Sequence, residues 1–592
     1  MAKKTKLELT WIGKDERPRI EPRILLEEPE KSYHAKHRVT DNDIFDNRLI
    51  FGDNLLALKA LEQEFTGKVK CVYVDPPFNT QQAFDHYDDG REHSIWLGLI
   101  RDRIESLRRL LSEDGTLFVH IDDNELGYLI VLLDEVFGRQ HRISIVSFKQ
   151  GSATGHKSIN PGVVSTTNFI LVYAKNKSEW KPNRVFTARA ERDKRYGQYI
   201  ANYEEPFAQW KFITLSSAFA RSLNMPEKGI KKELGEEYEE QISAFVHANA
   251  NRVIQPARPD YSAVSSVARE MIDASRATPG VVMKLERNGY SDMYFVGGQR
   301  ILFYFDKLKL IDGHYVAGEP LTTMWDDILS NNLHNEGGVE FPKGKKPEAL
   351  IKRCFDLATG PGDLILDSFA GSGTTGAVAH KMGRRWIMVE LGEHCHTHII
   401  PRMQKVIDGT DQGGISKAVD WKGGGGFRYY RLAPSLLEKD AWGNWVINKQ
   451  YNAAMLAEAM CKHEGFNYAP SDSIFWNHGS STERDFIFVT TQTLTREQLE
   501  AISEEVGPDK ALLICCGAFR VKPGAFPNLT LKKIPNAVLS RCEFGKDDYS
   551  IQIASLPQAE SDNGVEGKES KSTLKGNGKK KTSGALPLFD KE

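Results

Sequence analysis

The sequence predicts an α/β fold built on a mostly parallel sheet with helices on both faces. Three observations carry that prediction. Short β-forming runs alternate with amphipathic stretches across residues 48–180 and again across 321–435. Several of the runs, such as CVYV, LFV and ILVY, are continuously apolar, as strands covered on both faces must be. Two strand ends also run into unusual loops, Asp75-Pro76-Pro77-Phe78 and Asp367-Ser368-Phe369-Ala370-Gly371-Ser372-Gly373.

The elements follow in chain order. Residues 1–47 are charged and irregular and read as an N-terminal extension. LIF then forms a short strand, Gly52-Asp53-Asn54 a turn, and the leucines at 55, 58 and 61 one face of a helix. KVKCVYVD is a buried strand, and SIWLGLIRDRIESLRRLLSEDG an amphipathic helix expected to stop at Gly115. TLFVHIDD is the next strand, NELGYLIVLLDEVFG a helix closed by Gly138, and ISIVSFK and NFILVYAK are further strands. The rhythm changes across 181–320, where a helix around 226–250 precedes short strand-like pieces. Order resumes in 321–435 with the helix PEALIKRCFDLAT, the strand DLILDSF, the helix GTTGAVAHKMG and the strand RWIMVEL. Residues 436–556 form a separate small α/β module from DFIFVTT, LTREQLEAISEEVG and KALLICCG. Residues 557–592 are rich in Lys, Gly and Ser and are expected to be a disordered tail.

Composition narrows the function classes. The chain has 592 residues, 40% hydrophobic and 27% charged, so it holds enough apolar material for several cores. With a net charge of −2, any nucleic-acid surface has to be a local patch. Such a patch is expected at KPNRVFTARAERDKR, where Lys181, Arg184, Arg189, Arg192, Lys194 and Arg195 outnumber two acids and precede Tyr196, Tyr199 and Tyr203. The seven cysteines fall in no CxxC pair, which suits reduced thiols better than disulfides or zinc. The start MAKKTKLELTW lacks an apolar signal core, and no apolar run approaches the length of a membrane span. A soluble, unexported protein is expected. His394-Cys395-His396-Thr397-His398 resembles a metal site, but with no CxxC partner it is read as surface histidines with no metal. No GxxxxGK[ST] is present, which excludes an ATP-driven cleavage subunit.

The two loops imply chemistry. Pro76 and Pro77 cannot continue a ladder, so they stiffen an extended tip that carries a carboxylate and a ring. In the second loop, glycines allow close backbone approach to a ligand beside a helix N-terminus. Glu390 ends the following strand 23 residues after Asp367, where such folds place the acid that binds a ribose diol. A dinucleotide is the obvious competitor, but the third glycine of G-x-G-x-x-G is read as missing, and Asp367 would repel a pyrophosphate and welcome an ammonium group. A ribose joined to a cationic amino acid, as in S-adenosylmethionine, fits better.

Together these residues resemble the β-class amino-methyltransferases of DNA. DPPF at 75–78 is similar to their catalytic motif, and DSFAGSGTT at 367–375 to their S-adenosylmethionine motif. FPKGKKPEALIKR, WDD at 325–327 and FGDNLLALKALE fit as well, and the opening LELTWIGKDERPRIEPR with GGGGFRYYRL looks like the Mod subunits of Type III restriction–modification systems. The resemblance implies a Rossmann-like methyltransferase fold with permuted motif order: a catalytic half at 48–180, a target-recognition domain at 181–320 and a cofactor half at 321–435. It implies that Asp75 and the Pro76 carbonyl accept the hydrogens of a target amino group, Pro77 stiffens the loop, Phe78 stacks on a flipped base and Asn79 braces them. Asp first in that motif resembles adenine-N6 rather than cytosine-N4 enzymes. Asp53 would accept from the cofactor adenine. Phe369, Gly371, Gly373, Thr374, Asp367 and Glu390 would hold the rest of the cofactor, with Lys346 and Pro347 at its methionine end.

The implied partners are double-stranded DNA, a second copy of the chain and a helicase–nuclease restriction subunit, in a bacterial or archaeal cytoplasm near the nucleoid. ALPLFDKE in the tail resembles a sliding-clamp-binding peptide. The alternatives are a solitary or Type II β-class enzyme, cytosine-N4 specificity, or a recognition module whose main task is to deliver a nuclease.

Overall fold

The computed structural model describes residues 8–77, 89–151, 162–189, 191–311, 313–328, 333, 336–341, 344–522 and 524–550. Phe78, Asn79 and the tail with ALPLFDKE lie outside the described residues. Every described residue belongs to one compact unit, Met1–Ile551.

Its centre is an eleven-stranded sheet. The strands are β1 (Leu25–Glu27), β2 (Asn47–Phe51), β3 (Val69–Val74), β4 (Leu111–Ile121), β5 (Arg142–Lys149), β6 (Thr167–Ala174), β7 (Met324–Trp325), β8 (Leu364–Asp367), β9 (Arg385–Glu390) and β10 (Gly426–Leu432). They lie in the order β1-β10-β2-β9-β8-β3-β4-β6-β5-β7, with Tyr33–His34 added against β10. Neighbours from β10 to β4 are parallel. β6 runs antiparallel between β4 and β5. The stretch read as an irregular extension thus supplies two short strands, because β10 would otherwise be left with an open edge.

Strand alternation explains the continuous apolar runs. Cys71 and Tyr73 of β3 point into one core, while Val72 and Val74 point into the other. The first core is filled by α4 (Glu348–Ala358), α5 (Thr374–Lys381) and α6 (Ile400–Ile407). The second is filled by α1 (Asn54–Phe65), α2 (Asp89–Leu110) and α3 (Leu126–Leu133). Each sequence half therefore covers one face of a sheet that both halves build. The helix expected to run to Gly115 ends at Leu110, because Leu111 already pairs with Val69 in the ladder. A side chain at Gly115 would meet the Ser112 carbonyl at 2.9 Å, so the tight entry needs glycine there.

Residues 186–320 form smaller sheets of their own. Six strands order as Phe212–Thr214, Gln198–Ile200, Val253–Ala257, Gln299–Phe303, Met293–Val296 and Met283–Leu285, all antiparallel. Beyond residue 440, Asp485–Val489, Ala511–Cys516 and Leu529–Lys533 form a parallel trio within a five-stranded sheet. No helix among the described residues is long and apolar enough to cross a membrane.

Candidate active site

Four acids sit at the carboxyl ends of four adjacent parallel strands. Asp53 follows β2, Glu390 ends β9, Asp367 ends β8 and Asp75 follows β3. Register keeps these ends level, with Glu390 opposite Phe51 and Asp367 opposite Met388. From β8 the chain turns into α5 on one face, whereas from β3 it proceeds to α2 on the other. A crevice opens where such connections diverge, and this is where doubly wound sheets bind ligands.

At the β3 end, Lys346 Nζ lies 3.0 Å from Asp75 Oδ2. Asp75 Oδ1 is buried and has no hydrogen-bond partner among the described residues. Burial raises the Asp75 carboxyl above the ordinary range, and the Lys346 ammonium opposes that rise. The Trp96 indole of α2, itself buried, donates to the Pro77 carbonyl at 2.9 Å. With that carbonyl taken, Pro76 holds the next one back along the loop. Trp96 thus packs in the core and also fixes the loop. Beneath them Tyr73 Oη lies 3.1 Å from His120 Nδ1, and Asn168 Nδ2 3.0 Å from His120 Nε2. Burial pushes His120 well below its usual range, so it is a neutral ring bracing two strands.

At the β8 end, Asp367 Oδ1 accepts the Phe369 amide at 2.8 Å, and burial pushes its carboxyl up to about 7. Gly371 and Gly373 both have positive φ, +55° and +75°, which L side chains rarely adopt. Around Gly371 a side chain would meet only the Phe369 carbonyl at 3.8 Å, so the loop leaves open space on its ligand side. Gly373 caps α5, which begins at Thr374. The third glycine read as missing from the sequence is in fact Gly376, which completes a G-x-G-x-x-G spacing with Gly371 and Gly373; a Cβ there would strike the Met388 side chain. Glycine count therefore does not separate this loop from a dinucleotide loop; the Asp367 carboxylate does. Glu390 grips the loop, accepting the amides of Gly371 (Oε2, 2.8 Å) and Gly392 (Oε1, 2.9 Å).

Asp53 differs from the expectation placed on it. Its Oδ1 caps α1 by accepting the Leu55 and Leu56 amides. Its Oδ2 accepts the Tyr549 amide at 2.9 Å and faces Arg103 at 3.3 Å. Arg103 also donates to the Tyr549 carbonyl, and the Tyr549 ring packs on Leu55 and Leu56. In this conformation Asp53 has no oxygen left for an adenine amino group. Sequence reading had no signal for this, since the partners lie 50 and 496 positions away.

Lys346 and Pro347 lead into a buried charge network that sequence reading missed. Glu348 Oε1 accepts from Arg402 at 2.8 Å, and its Oε2 from Lys381 at 2.8 Å. Lys381 also reaches Asp411 at 2.7 Å. Arg402 donates to the Ser372 carbonyl and the Thr374 hydroxyl of the glycine loop. All four charged side chains are buried, so each depends on the others for compensation.

The histidine run is not a free surface cluster. His394 pairs with Glu390 at 3.0 Å, which raises it above the usual range, His396 meets the Tyr429 hydroxyl and His398 the Glu340 carbonyl. The basic run is largely paired as well. Arg189 and Arg195 face Asp193, Lys194 faces Glu191, Arg192 faces Glu239 and Arg184 lies over the Phe186 ring. Lys181 sits on the exposed segment before them.

Comparison with known proteins gives the family context. A family model described as DNA methylase matches residues 69–401. A protein of Haemophilus influenzae named "Probable type III restriction-modification enzyme HindVI Mod subunit" is 34% identical over 67% of this chain and 55% of its own length. The EcoP15I Mod subunit of Escherichia coli, a type III restriction-modification enzyme by name, is 25% identical over 73% of this chain and 72% of its own. The type II methyltransferase M.EcaI of Enterobacter cloacae is 26% identical over 59% and 67%. The chain spans about half of the Haemophilus relative (55%) and more of the others.

Proposed function

The chain belongs to the DNA methylase family, and from that premise we propose that it methylates N6 of adenine in double-stranded DNA from S-adenosylmethionine. We further propose that it serves as the modification and recognition subunit of a Type III restriction–modification system. The observation that carries the reading is the Asp75 carboxylate, which keeps one buried oxygen unpartnered among the described residues at the β3 end, next to the glycine loop at the β8 end.

The exocyclic amine of adenine is a weak nucleophile because its lone pair is delocalised into the ring. Asp75 Oδ1 and the Pro76 carbonyl each accept one N6 hydrogen, which draws nitrogen towards tetrahedral geometry. Trp96 and the two prolines hold those acceptors in advance, so little ordering remains at the moment of reaction. Phe78 is the proposed stacking face for a base turned out of the duplex. When bound, S-adenosylmethionine supplies an electrophilic methyl group on a cationic sulfur. The fit of this chain to it rests on the open space at Gly371 and the buried Asp367 carboxyl for cationic groups; Glu390, whose oxygens already accept the Gly371 and Gly392 amides, is proposed for a ribose diol through its remaining lone pairs. Phe369, Gly373 and Thr374 complete that proposed cradle.

The inserted region 181–320 is the proposed target-recognition domain, within a methyltransferase made of 48–180 and 321–435. A second copy and a helicase–nuclease subunit are its proposed partners. Two relatives are named as type III Mod subunits, which supports that assignment over a solitary enzyme. The test is nucleoside analysis of DNA incubated with purified protein and S-adenosylmethionine. N6-methyladenine is the expected product; N4-methylcytosine, or no methylated base, would overturn the reading.

A further inference from the structure

We propose that Lys346 is a positioning residue for Asp75: its ammonium holds Oδ2, and so turns Oδ1 towards the target amine as a hydrogen acceptor. The inference rests on the methyltransferase reading above and deepens it. The resemblance of KKPE to a cofactor motif assigns Lys346 only to the methionine end of the cofactor.

The geometry points to a different task. Lys346 is 8% exposed, and its Nζ reaches Oδ2 at 3.0 Å. A carboxylate has two equivalent oxygens and can rotate between them. Engaging one in a charge-assisted bond fixes the plane of both. The oxygen left over is buried and unpartnered among the described residues, which is costly unless a donor arrives. The target amino group is that donor.

The backbone around Lys346 is pinned on both sides, so its reach is set in advance. Lys345 Nζ donates to the carbonyls of Leu333 at 2.8 Å and Val339 at 2.9 Å, and also to Glu336. Pro347 precedes α4, whose first residue, Glu348, is locked to Lys381 and Arg402. Arg402 in turn holds the glycine loop. Lys346 is thus registered against the loop on one side and reads out on Asp75 on the other.

A positioning ammonium also keeps Asp75 ionised, and only the ionised form can accept two ways. Among the described residues, the titratable and charged groups that act on Asp75 are Lys346 from the segment before α4, Asp367 from β8 and Tyr73 from β3, while His120 of β4 acts on Lys346. Burial moves Tyr73 up and His120 down, away from neutral pH. Asp367 titrates near neutrality, but it acts on cofactor affinity, and saturating cofactor removes its effect from the rate.

The test is single-turnover methyl transfer from saturating tritiated S-adenosylmethionine to unmethylated DNA, followed from acid to alkaline pH. Wild type is compared with Lys346→Met, Lys346→Gln and Lys346→Arg, each checked for folding by circular dichroism. Without the ammonium, the acid limb of the rate should move up by about 1–3 pH units, with a fall of at least about tenfold at neutral pH. Lys346→Arg should keep the limb close to wild type. An unmoved limb in the folded Met or Gln variant, with only the KM for S-adenosylmethionine raised, would overturn the proposal and return Lys346 to the cofactor. Should the Met variant not fold, the Gln variant decides by the same limb. No transfer by the wild-type protein to any DNA would overturn the methyltransferase reading itself, a result distinct from an active enzyme whose limb does not depend on Lys346.

Discussion

Asp53 and Asp75 make an instructive pair. Both follow a parallel strand of one sheet, both open onto the same edge, and both carry a role by sequence resemblance. Asp53 is 1% exposed with four donors on its two oxygens. Asp75 has one cation on one oxygen and, among the described residues, nothing on the other. An acid used to hold the fold is satisfied by the fold, whereas an acid held for a reactant keeps an acceptor in reserve. Motif position alone does not make that distinction.

The contrast can be broken at either end, most forcefully at Asp75. Asp75→Asn keeps shape but turns an acceptor edge into a donor, and should cut methyl transfer by about 10³-fold or more. A variant with wild-type turnover would remove Asp75 from the chemistry.

Asp53→Ala should act on stability instead. It strips the α1 cap and leaves the buried Arg103 uncompensated, a loss of about 3–5 kcal/mol in denaturant unfolding. If the variant unfolds like wild type but binds S-adenosylmethionine weakly, the contrast reverses and Asp53 regains the adenine role.

Asp367 sharpens the comparison through pH. Its carboxyl stands at about 7 in the folded protein, so the folded state holds a proton that the unfolded chain releases near pH 4. Stability without cofactor should therefore fall as pH rises through that window. A cation binds the ionised form, so S-adenosylmethionine affinity should rise by up to about tenfold per pH unit below 7 and level off above it. Calorimetric titration in buffers of different ionisation enthalpy would show proton release on binding. Flat affinity across that range would mean that Asp367 does not meet the cation.

The smallest effect belongs to Trp96. Trp96→Phe keeps most of the packing and loses the bond to the Pro77 carbonyl, about 1 kcal/mol. A several-fold lower kcat with unchanged cofactor affinity is expected. Equal losses in both would make Trp96 a core residue only.

These cases also mark what the sequence made legible. The alternation, the two loops and the acids at strand ends were readable because each is a local pattern of a few residues. Strand β3 announced itself because both its faces are covered. What was not readable depends on distant encounters. Tyr549 reaches Asp53, Lys346 reaches Asp75, and Arg402 reaches the glycine loop only after the chain has folded. The basic run looked like free charge because Glu239, its partner at Arg192, lies in a later helix. Gly376 was visible and overlooked; the clash a Cβ would make with Met388 shows why it is glycine.

The strand order has a further consequence, in the timing of synthesis. β2 and β3 are joined by a single helix, yet β9 and β8 lie between them in the sheet. Some 290 residues separate the end of β3 from the start of β8. At translation rates of roughly 5–20 residues per second, the gap stays open for about 15–60 s on the ribosome. Over that interval β2 and β3 expose facing, unpaired apolar edges with no native neighbour yet made. The nascent chain must either be shielded or wait unstructured, and the acids of the crevice first meet when β8 and β9, made long after the strands that flank them, slot in.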